Sequence, residues 1–589
     1  MKTLIIVESP SKAHKIQSFL DDNYIVIASK GHIVDLAKGG KHGMGIDLNN
    51  NFKPHYVILD DKVDTLQSIM NAAKQCEKII LMPDQDREGE AIGYHLATRL
   101  EQMNKPISRA ETSEITKKAV LEALKNTREI NMSLVRAQEG RRILDRIVGF
   151  SASPFLMQYF GPNLSAGRVQ SVITKMIVER EEEINNFIPE EYFIIQAQLA
   201  KDIQSFTAKY EGKINNKDTA FKIKSELENK LAEYFVSDIE AAEEKKKPYP
   251  PIITARLQQI MSKQYKINAT RTMAAAQNLY EQGLITYHRT DSVRVSDEAL
   301  KSVRSWLKDN NFDIPKTANS FKNKETAQAA HEAIRPTDVF NNSETLNLIG
   351  DEKDVYDIIW KYFVASQMKP AIYNTLKVSI KIKNNTEHTL IASGKAIKYK
   401  GFLEILGTND NNSIDIPNLN QNDKLTLFGD NAITVERKHT QPPSRYSEAS
   451  LIEILEKKEI GRPSTYATLL STITTRNYVK QNGNIFYPTE LGKNITNELT
   501  KWFSFLAYDY TAKLEMELDK IADGQLDYIK MLTDFYSIFK EELKKAYISR
   551  GSIPCNKCDG MMRELTNKKG ERFLACNQYP RCRSCETIK

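Results

Sequence analysis

Cysteine is almost missing from the chain: Cys76 stands alone, and the other five of the six fall within the last 35 residues. That distribution argues against a disulfide framework and for metal ligation in a reducing compartment. Long apolar runs are missing too, since none approaches the roughly 20 residues that cross a bilayer. The start, MKTLIIVESPSK, has an apolar run of only five residues before it meets Glu8. It reads as a strand and not a signal peptide, so no membrane association and a cytoplasmic location are expected. Nor is there a large excess of one charge. Lys and Arg number 83 against 76 Asp and Glu, a net charge of +7, so basicity by itself says little about nucleic acid and local clusters must carry that argument. No GxxxxGK[ST] phosphate loop occurs; KGGKHGMG at 38–45 lacks its spacing and reads as a mobile loop. What is present is ordinary for a globular protein, 41% hydrophobic and 27% charged over 589 residues, a length that divides into about three to five domains.

Two segments predict an α/β unit at the start. TLIIV at 3–7 is a β-branched run suited to a buried parallel strand, with a second strand at YIVIA, 24–28. Ser9 can cap a helix whose first position takes Pro10, and Ala13, Ile16, Phe19 and Leu20 mark one of its faces. Glu8 and Lys12 then lie at the carboxyl edge of a sheet. KIILMPDQDREGEAIGYHLATRL at 78–100 repeats the pattern: an apolar run ends at Met82, and Ile92, Leu96 and Leu100 share a helical face. Between them lie Asp84, Asp86, Glu88 and Glu90. Such a cluster suits either the positive end of a helix dipole or a divalent cation joining Asp84 and Asp86. The carboxyl edge of an open sheet, where ligands gather, favours magnesium held by Glu8, Asp84 and Asp86.

Residues 284–292, LITYHRTDS, hold a candidate nucleophile. RTMAAAQNLYEQG before them reads as a helix that Gly283 ends in a left-handed conformation. A strand or extended segment should follow, which would put Tyr287 and Arg289 on one side and His288 on the other. A phenol with an ordinary pKa of about 10 needs a base or a nearby cation to attack phosphorus, and arginine can hold the attacked phosphate. The pair alone is also what any sheet edge carries.

VESPSK, DQDREGE and TYHRTDS, in that order, resemble the type IA DNA topoisomerases, and the resemblance runs along nearly the whole chain. It implies a multidomain fold with α/β, α and β parts: an N-terminal Toprim α/β sheet, a toroidal core and a C-terminal zinc ribbon. The division expected is 1–145 for Toprim, 146–190 with 446–545 for a helical DNA-binding gate, 191–246 with 375–445 for a β-rich arch, and 247–374 for the tyrosine domain. A zinc finger fills 551–589. The lysine run and prolines of EEKKKPYPP, 243–251, mark a linker or boundary.

The resemblance also assigns roles. Tyr287 becomes the nucleophile that forms a 5′-phosphotyrosine, Lys12 and Arg289 steady the phosphoryl charge, and Glu8 protonates the leaving 3′-oxygen. His331, in the expected helix AQAAHEAIRPTD at 327–338, supports the tyrosine. In RRILDRIVGF, 141–150, helical spacing puts Arg142 and Arg146 on one face; resemblance turns them to DNA, together with His32, Ile143 and Ser151. LSAGRVQS brings Ser165, Ala166, Gly167, Arg168, Val169 and Gln170, and the two-helix, wing-like stretch 446–493 brings Thr465, at a glycine-led helix start, and Arg476. The GRPSTYA form resembles the bacterial topoisomerase I branch more than topoisomerase III. The implied activity is ATP-independent relaxation of negatively supercoiled DNA by a nucleoid-associated monomer acting on single-stranded DNA. Reverse gyrase would need a helicase half, and a Toprim primase or nuclease would have no use for Tyr287.

The tail reads C-x2-C-x17-C-x5-C through Cys555, Cys558, Cys576 and Cys582, close pairs either side of a short hairpin, as tetrahedral zinc requires. Cys585 is an alternative fourth ligand. Eight basic and four acidic residues over 551–589, with Phe573 and Tyr579 among them, suit single-stranded nucleic acid or a purely structural ribbon.

Overall fold

The computed structural model describes residues 2–588 except 40–42, 230, 324–330, 384, 411–412, 559, 568, 578 and 580–581. Part of the expected loop at 38–45 and part of the expected helix at 327–338 therefore lie outside the described residues.

Strand Thr3–Val7 forms as expected and lies between Tyr24–Ala28 and Lys78–Leu81, with Ile107–Arg109 at the far edge. All pairings are parallel, so every carboxyl end reaches the same rim. Alternation then sorts the side chains. Leu4, Ile6, Ile79 and Leu81 pack with helices Val63–Lys74 and Arg87–Leu100. Ile5, Val7, Ile80 and Met82 face the other way and share a core with Leu279, Tyr280, Ile285 and Tyr287. One face of the sheet is the wall on which the tyrosine segment rests.

Helix Pro10–Gln17 starts with Ser9 accepting a hydrogen bond from the Lys12 amide at 3.2 Å. Helix Ala269–Glu281 ends at Gly283, whose φ is +74° and whose Cβ, were there one, would meet the Ile115 carbonyl oxygen at 2.3 Å. Only glycine tolerates both the left-handed backbone and the close approach. Of the strand or extended segment expected after it, no regular strand forms. Ile285 makes one bridge to Pro336 and the chain then loops, because the Tyr287 amide donates to the Ser113 carbonyl and the Thr286 amide to that of Arg335, each in a different segment. Residues 331–336 are not helical either. Ile334 bridges to Ile252, and this extended backbone lets Arg335 reach Glu114 and Glu332.

Helix Met132–Phe160 runs without interruption through the boundary expected at 145/146. Its apolar side joins Val169, Ile173, Leu451, Leu470, Leu514, Leu518 and Phe535 in the largest core. Helices Glu448–Lys457 and Tyr466–Thr475 and the hairpin Val479–Asn482 with Ile485–Pro488 form the wing-like unit expected there. The β-rich part is a closed antiparallel ring: Gln204–Tyr210, Asn385–Tyr399, Ala371–Ile382, Tyr234–Lys246, Lys424–Leu427 and Glu191–Lys201, which pairs back to the first, with Ile433–His439 added outside. Closure leaves few free edges. It also bears on two boundaries. Glu243 to Lys246 belong to a strand, with Glu243 and Glu244 paired to Lys398 and Lys395 across the sheet, and that strand ends at Lys246, where the arch was expected to end. Ala371–Ile382 begins before residue 375 because twelve continuous residues match the long neighbouring strand.

The C-terminal residues build a four-stranded antiparallel sheet, Ile553–Pro554, Met561–Thr566, Arg572–Cys576 and Cys585–Thr587. Met561 inserts into the main core. Among the described residues no helix is long and apolar enough to cross a membrane.

Candidate active site

Tyr287 is 1% exposed, and its hydroxyl donates a 2.6 Å hydrogen bond to Asp86 Oδ2. Asp86 owes its position to a second duty. It caps helix Arg87–Leu100, accepting from the Gly89 amide at 2.9 Å, while a Cβ on Gly89 would stand 2.1 Å from the Asp84 carbonyl oxygen. A glycine is therefore what lets the turn fold tightly enough to bring both aspartates to the rim. Arg109, completely buried, fixes the same turn from beneath, donating to the carbonyls of Leu81, Pro83, Asp84 and Ala110 and to Glu90 at 3.0 Å.

Lys12, 2% exposed, places Nζ 3.1 Å from Asp84 Oδ1. Glu8 faces both aspartates, and its carboxyl is pushed up to about 7, chiefly by burial and then by the charges of Asp84 and Asp86, against the pull of Lys12 and Arg289. Three neighbouring carboxylates suit a hard divalent cation in their chemistry, since it would relieve their repulsion, but unlike the cysteine sulfurs their oxygens do not converge within 4.8 Å of one another. They do not form a finished cage, because the lysine already occupies Asp84 and the phenol Asp86. Arg289 turns toward Tyr287, Asp86, Asp84 and Glu8, whose charges outweigh its burial and raise its pKa. His331 lies edge-on to the tyrosine with ring centroids 5.9 Å apart, and burial lowers its pKa. His288 is buried between Tyr287 and Tyr280, with ring centroids 5.3 and 5.8 Å away. The phenol is pushed upward by burial and by Asp86 and Asp84, so with these carboxylates around it Tyr287 stays protonated.

A cavity of about 30 Å³ is lined by Asp86, Arg289, Asp291 and His331 on one side and by Arg462, Pro463 and Ser464 on the other, so the GRPST turn faces the segment that carries the tyrosine. Thr465 precedes helix Tyr466–Thr475 without a side-chain cap; its hydroxyl donates to the Arg462 carbonyl at 2.9 Å and accepts from the Arg462 amide at 3.1 Å. Arg476 is exposed at the other end of that helix.

The remaining candidates fall into two groups. His32 pairs with Glu88 at 3.2 Å, and Arg142 and Arg146 converge on Asp35; Ser151, Ser165, Gly167 and Gln170 are partly exposed. By contrast, Ile143, Ala166, Val169 and Arg168 are buried and present no side chain at the surface. Arg168 was expected to supply a donor to DNA. Its guanidinium instead lies 2.7 Å from Glu515, which also has Arg141 at 3.5 Å. Glu515 and Asp519, on helix Tyr508–Ala522, gather Arg87, Arg141, Arg168 and Arg462 from four distant segments. Nothing local signals this cluster, nor Arg109 and Asp35, because every partner is far away in sequence.

At the C-terminus the sulfur atoms of Cys555, Cys558, Cys576 and Cys582 lie within 4.8 Å of one another, a set that fits zinc, and Cys585 is exposed on its strand outside it. Cys582, not Cys585, completes the set.

Comparison with known proteins agrees with this geometry. The Toprim family model matches residues 3–115, and Toprim domains generally bind magnesium. The DNA topoisomerase family model matches residues 129–533. The full-length topoisomerase I of Thermotoga maritima is 33% identical, with a TM-score of 0.80 over 100% of this chain and 97% of that one. Relaxation of DNA by transient strand cleavage is characteristic of that family. With a Toprim sheet, a topoisomerase I core and a cysteine cluster at its end, the chain belongs to the bacterial-type, type IA DNA topoisomerases.

Proposed function

We propose that Tyr287 is the nucleophile and that its neighbours divide the work of one reversible phosphoryl transfer. The tyrosine oxygen bonds to a backbone phosphorus as the bond from phosphorus to the 3′-oxygen breaks, leaving a 5′-phosphotyrosine and a free 3′-hydroxyl. The phenol proton passes to Asp86, which already holds it at 2.6 Å. Glu8, with a carboxyl pushed up to about 7, is protonated often enough near neutrality to give its proton to the leaving 3′-oxygen and takes it back on rejoining. Lys12 and Arg289 stabilise the charge on the phosphoryl oxygens, and His331 packs the ring in place. The hydrogen bond from Tyr287 to Asp86 carries this reading, since it joins the tyrosine segment to the acidic rim.

Magnesium held by Glu8, Asp84 and Asp86 would supply positive charge near the cut end. Zinc held by Cys555, Cys558, Cys576 and Cys582 would tie the short C-terminal sheet together. His32, Arg142 and Arg146, with Ser151, Ser165, Gly167, Gln170, Thr465 and Arg476, contact single-stranded DNA, while Arg168 orders the groove from within. The protein acts as a cytoplasmic monomer at the nucleoid. Its working parts are the Toprim sheet, the helical gate, the β ring, the tyrosine segment and the zinc ribbon.

Relaxation of a negatively supercoiled plasmid with magnesium and no nucleotide tests this. Stepwise loss of supercoils that stops on chelation is expected; nicking without rejoining would overturn it.

A further inference from the structure

Arg142 is an expected DNA contact, yet among the described residues its hydrogen bonds go to Asp35, from Nε to Oδ1 at 3.0 Å and from Nη2 to both carboxylate oxygens at 2.7 Å. Arg146 adds Nη2 at 3.3 Å to the same carboxylate and also donates to the carbonyls of Leu36 and Ala37. A carboxylate and a phosphate offer a guanidinium the same pair of oxygens at similar spacing. Exposure separates the two arginines. The Arg142 side chain is 45% exposed and that of Asp35 17%, whereas Arg146 is at 4%. The outer pair is therefore accessible to a ligand and the inner one is built in.

Both ends of the pair are mounted rigidly. Asp35 is at the middle of strand Val34–Leu36, paired with Val57 of Tyr56–Ile58, and Arg142 is in the middle of a 29-residue helix. A cavity of about 330 Å³ beside them is lined by His32, Glu88, Arg141 and Asp145 as well. The Arg142 side chain is long and nearly half exposed, so its guanidinium is free to turn from the carboxylate toward a ligand in that cavity.

We propose that Asp35 is a positioning residue that acts as an internal stand-in for a DNA phosphate. Without DNA it holds the Arg142 guanidinium extended along the groove; when a strand enters, a backbone phosphate replaces it; and when the strand leaves after rejoining, it takes the arginine back. The carboxylate thus keeps the arginine ordered and also limits how tightly the strand is held. This rests on the reading that Arg142 contacts DNA.

The test is binding of a fluorescent single-stranded oligonucleotide to the full chain in chelator, titrated over a range of salt, for wild type, Asp35→Asn, Arg142→Gln and the double variant. Asp35→Asn keeps the shape and removes the competing charge. Affinity should rise about three- to tenfold near physiological salt, and the slope of log K against log salt should steepen, because no freed carboxylate remains to take up a cation when Arg142 moves to the phosphate. Arg142→Gln should weaken binding, and most of the gain from Asp35→Asn should vanish in its presence. Asp35→Ser, also uncharged, should act in the same direction, which guards against a folding defect in one variant. If Arg142→Gln weakens binding while both Asp35 variants leave affinity and slope unchanged or lower them, the carboxylate is only a structural support and the proposal fails. If Arg142→Gln leaves binding unchanged, the DNA reading itself fails at that residue and takes the proposal with it.

Discussion

Tyr287 and Asp86 are 201 residues apart in sequence and 2.6 Å apart in space. The bond unites two segments that carry separate chemistry: a helix cap at the rim of a parallel sheet and a loop resting on one face of that sheet. Each is held by backbone contacts of its own, so the distance between phenol and carboxylate is set by the fold and not by the pair.

Gly89→Ala tests that idea without touching a reacting group. A Cβ at 2.1 Å from the Asp84 carbonyl oxygen must push the turn outward by an ångström or more, moving both aspartates. Misplacement on that scale lowers a rate about 100-fold. Relaxation assays should show a loss of that order with the far-ultraviolet circular dichroism retained. Activity within about twofold of wild type contradicts it.

His95 gives the protein an acid sensitivity of its own. Buried with Tyr56 at a centroid distance of 4.5 Å, with no hydrogen-bond partner described for either ring nitrogen, its pKa falls to about 4, chiefly through burial. The folded state resists protonation that the unfolded state accepts at about 6.5. Stability is therefore fully present above about 6.5 and is lost as pH falls toward 4. His95→Phe should flatten this part of a urea-midpoint profile between pH 6.5 and 4. An unchanged profile contradicts the assignment.

Glu515 is completely buried, and Arg141, Arg168, Arg462 and Arg87 hold its carboxyl well below the ordinary range despite the opposing effect of burial. Glu515→Gln leaves those cations short of one buried counter-charge, at a cost of about 3–5 kcal/mol. Urea unfolding should show a lower midpoint, by about that energy divided by the denaturant slope. A midpoint equal to that of wild type shows that the cluster relaxes around the loss.

Much of this was legible in the sequence, and the failures have a common cause. TLIIV, YIVIA and KIIL with their capped helices announce a parallel sheet through local pattern, and DQDREGE and TYHRTDS announce chemistry. The form of 284–292 and 331–336 was not legible, because single bridges and contacts to Ser113 and Arg335 fix those segments and leave no periodicity. EEKK, 243–246, looks like a linker until the lysines opposite it are known. Arg168 lies in a segment expected to contact DNA, but only the fold shows Glu515 beside it.

Zinc content discriminates the cysteines. Cys582→Ser should lose the metal and Cys585→Ser should keep one zinc per chain, measured by atomic absorption after gel filtration. The reverse result would contradict the ligand set drawn from the sulfur positions.

The most direct test of the central claim is covalent trapping. A single-stranded oligonucleotide labelled at its 3′ end is mixed with the full chain and quenched with detergent, for wild type and Tyr287→Phe. Label migrating with wild-type protein, and none with Tyr287→Phe, is the predicted result, since only a tyrosine joined to the 5′ phosphate of the downstream fragment retains it. Cleavage without attached protein that persists in Tyr287→Phe would make water the nucleophile and contradict the account.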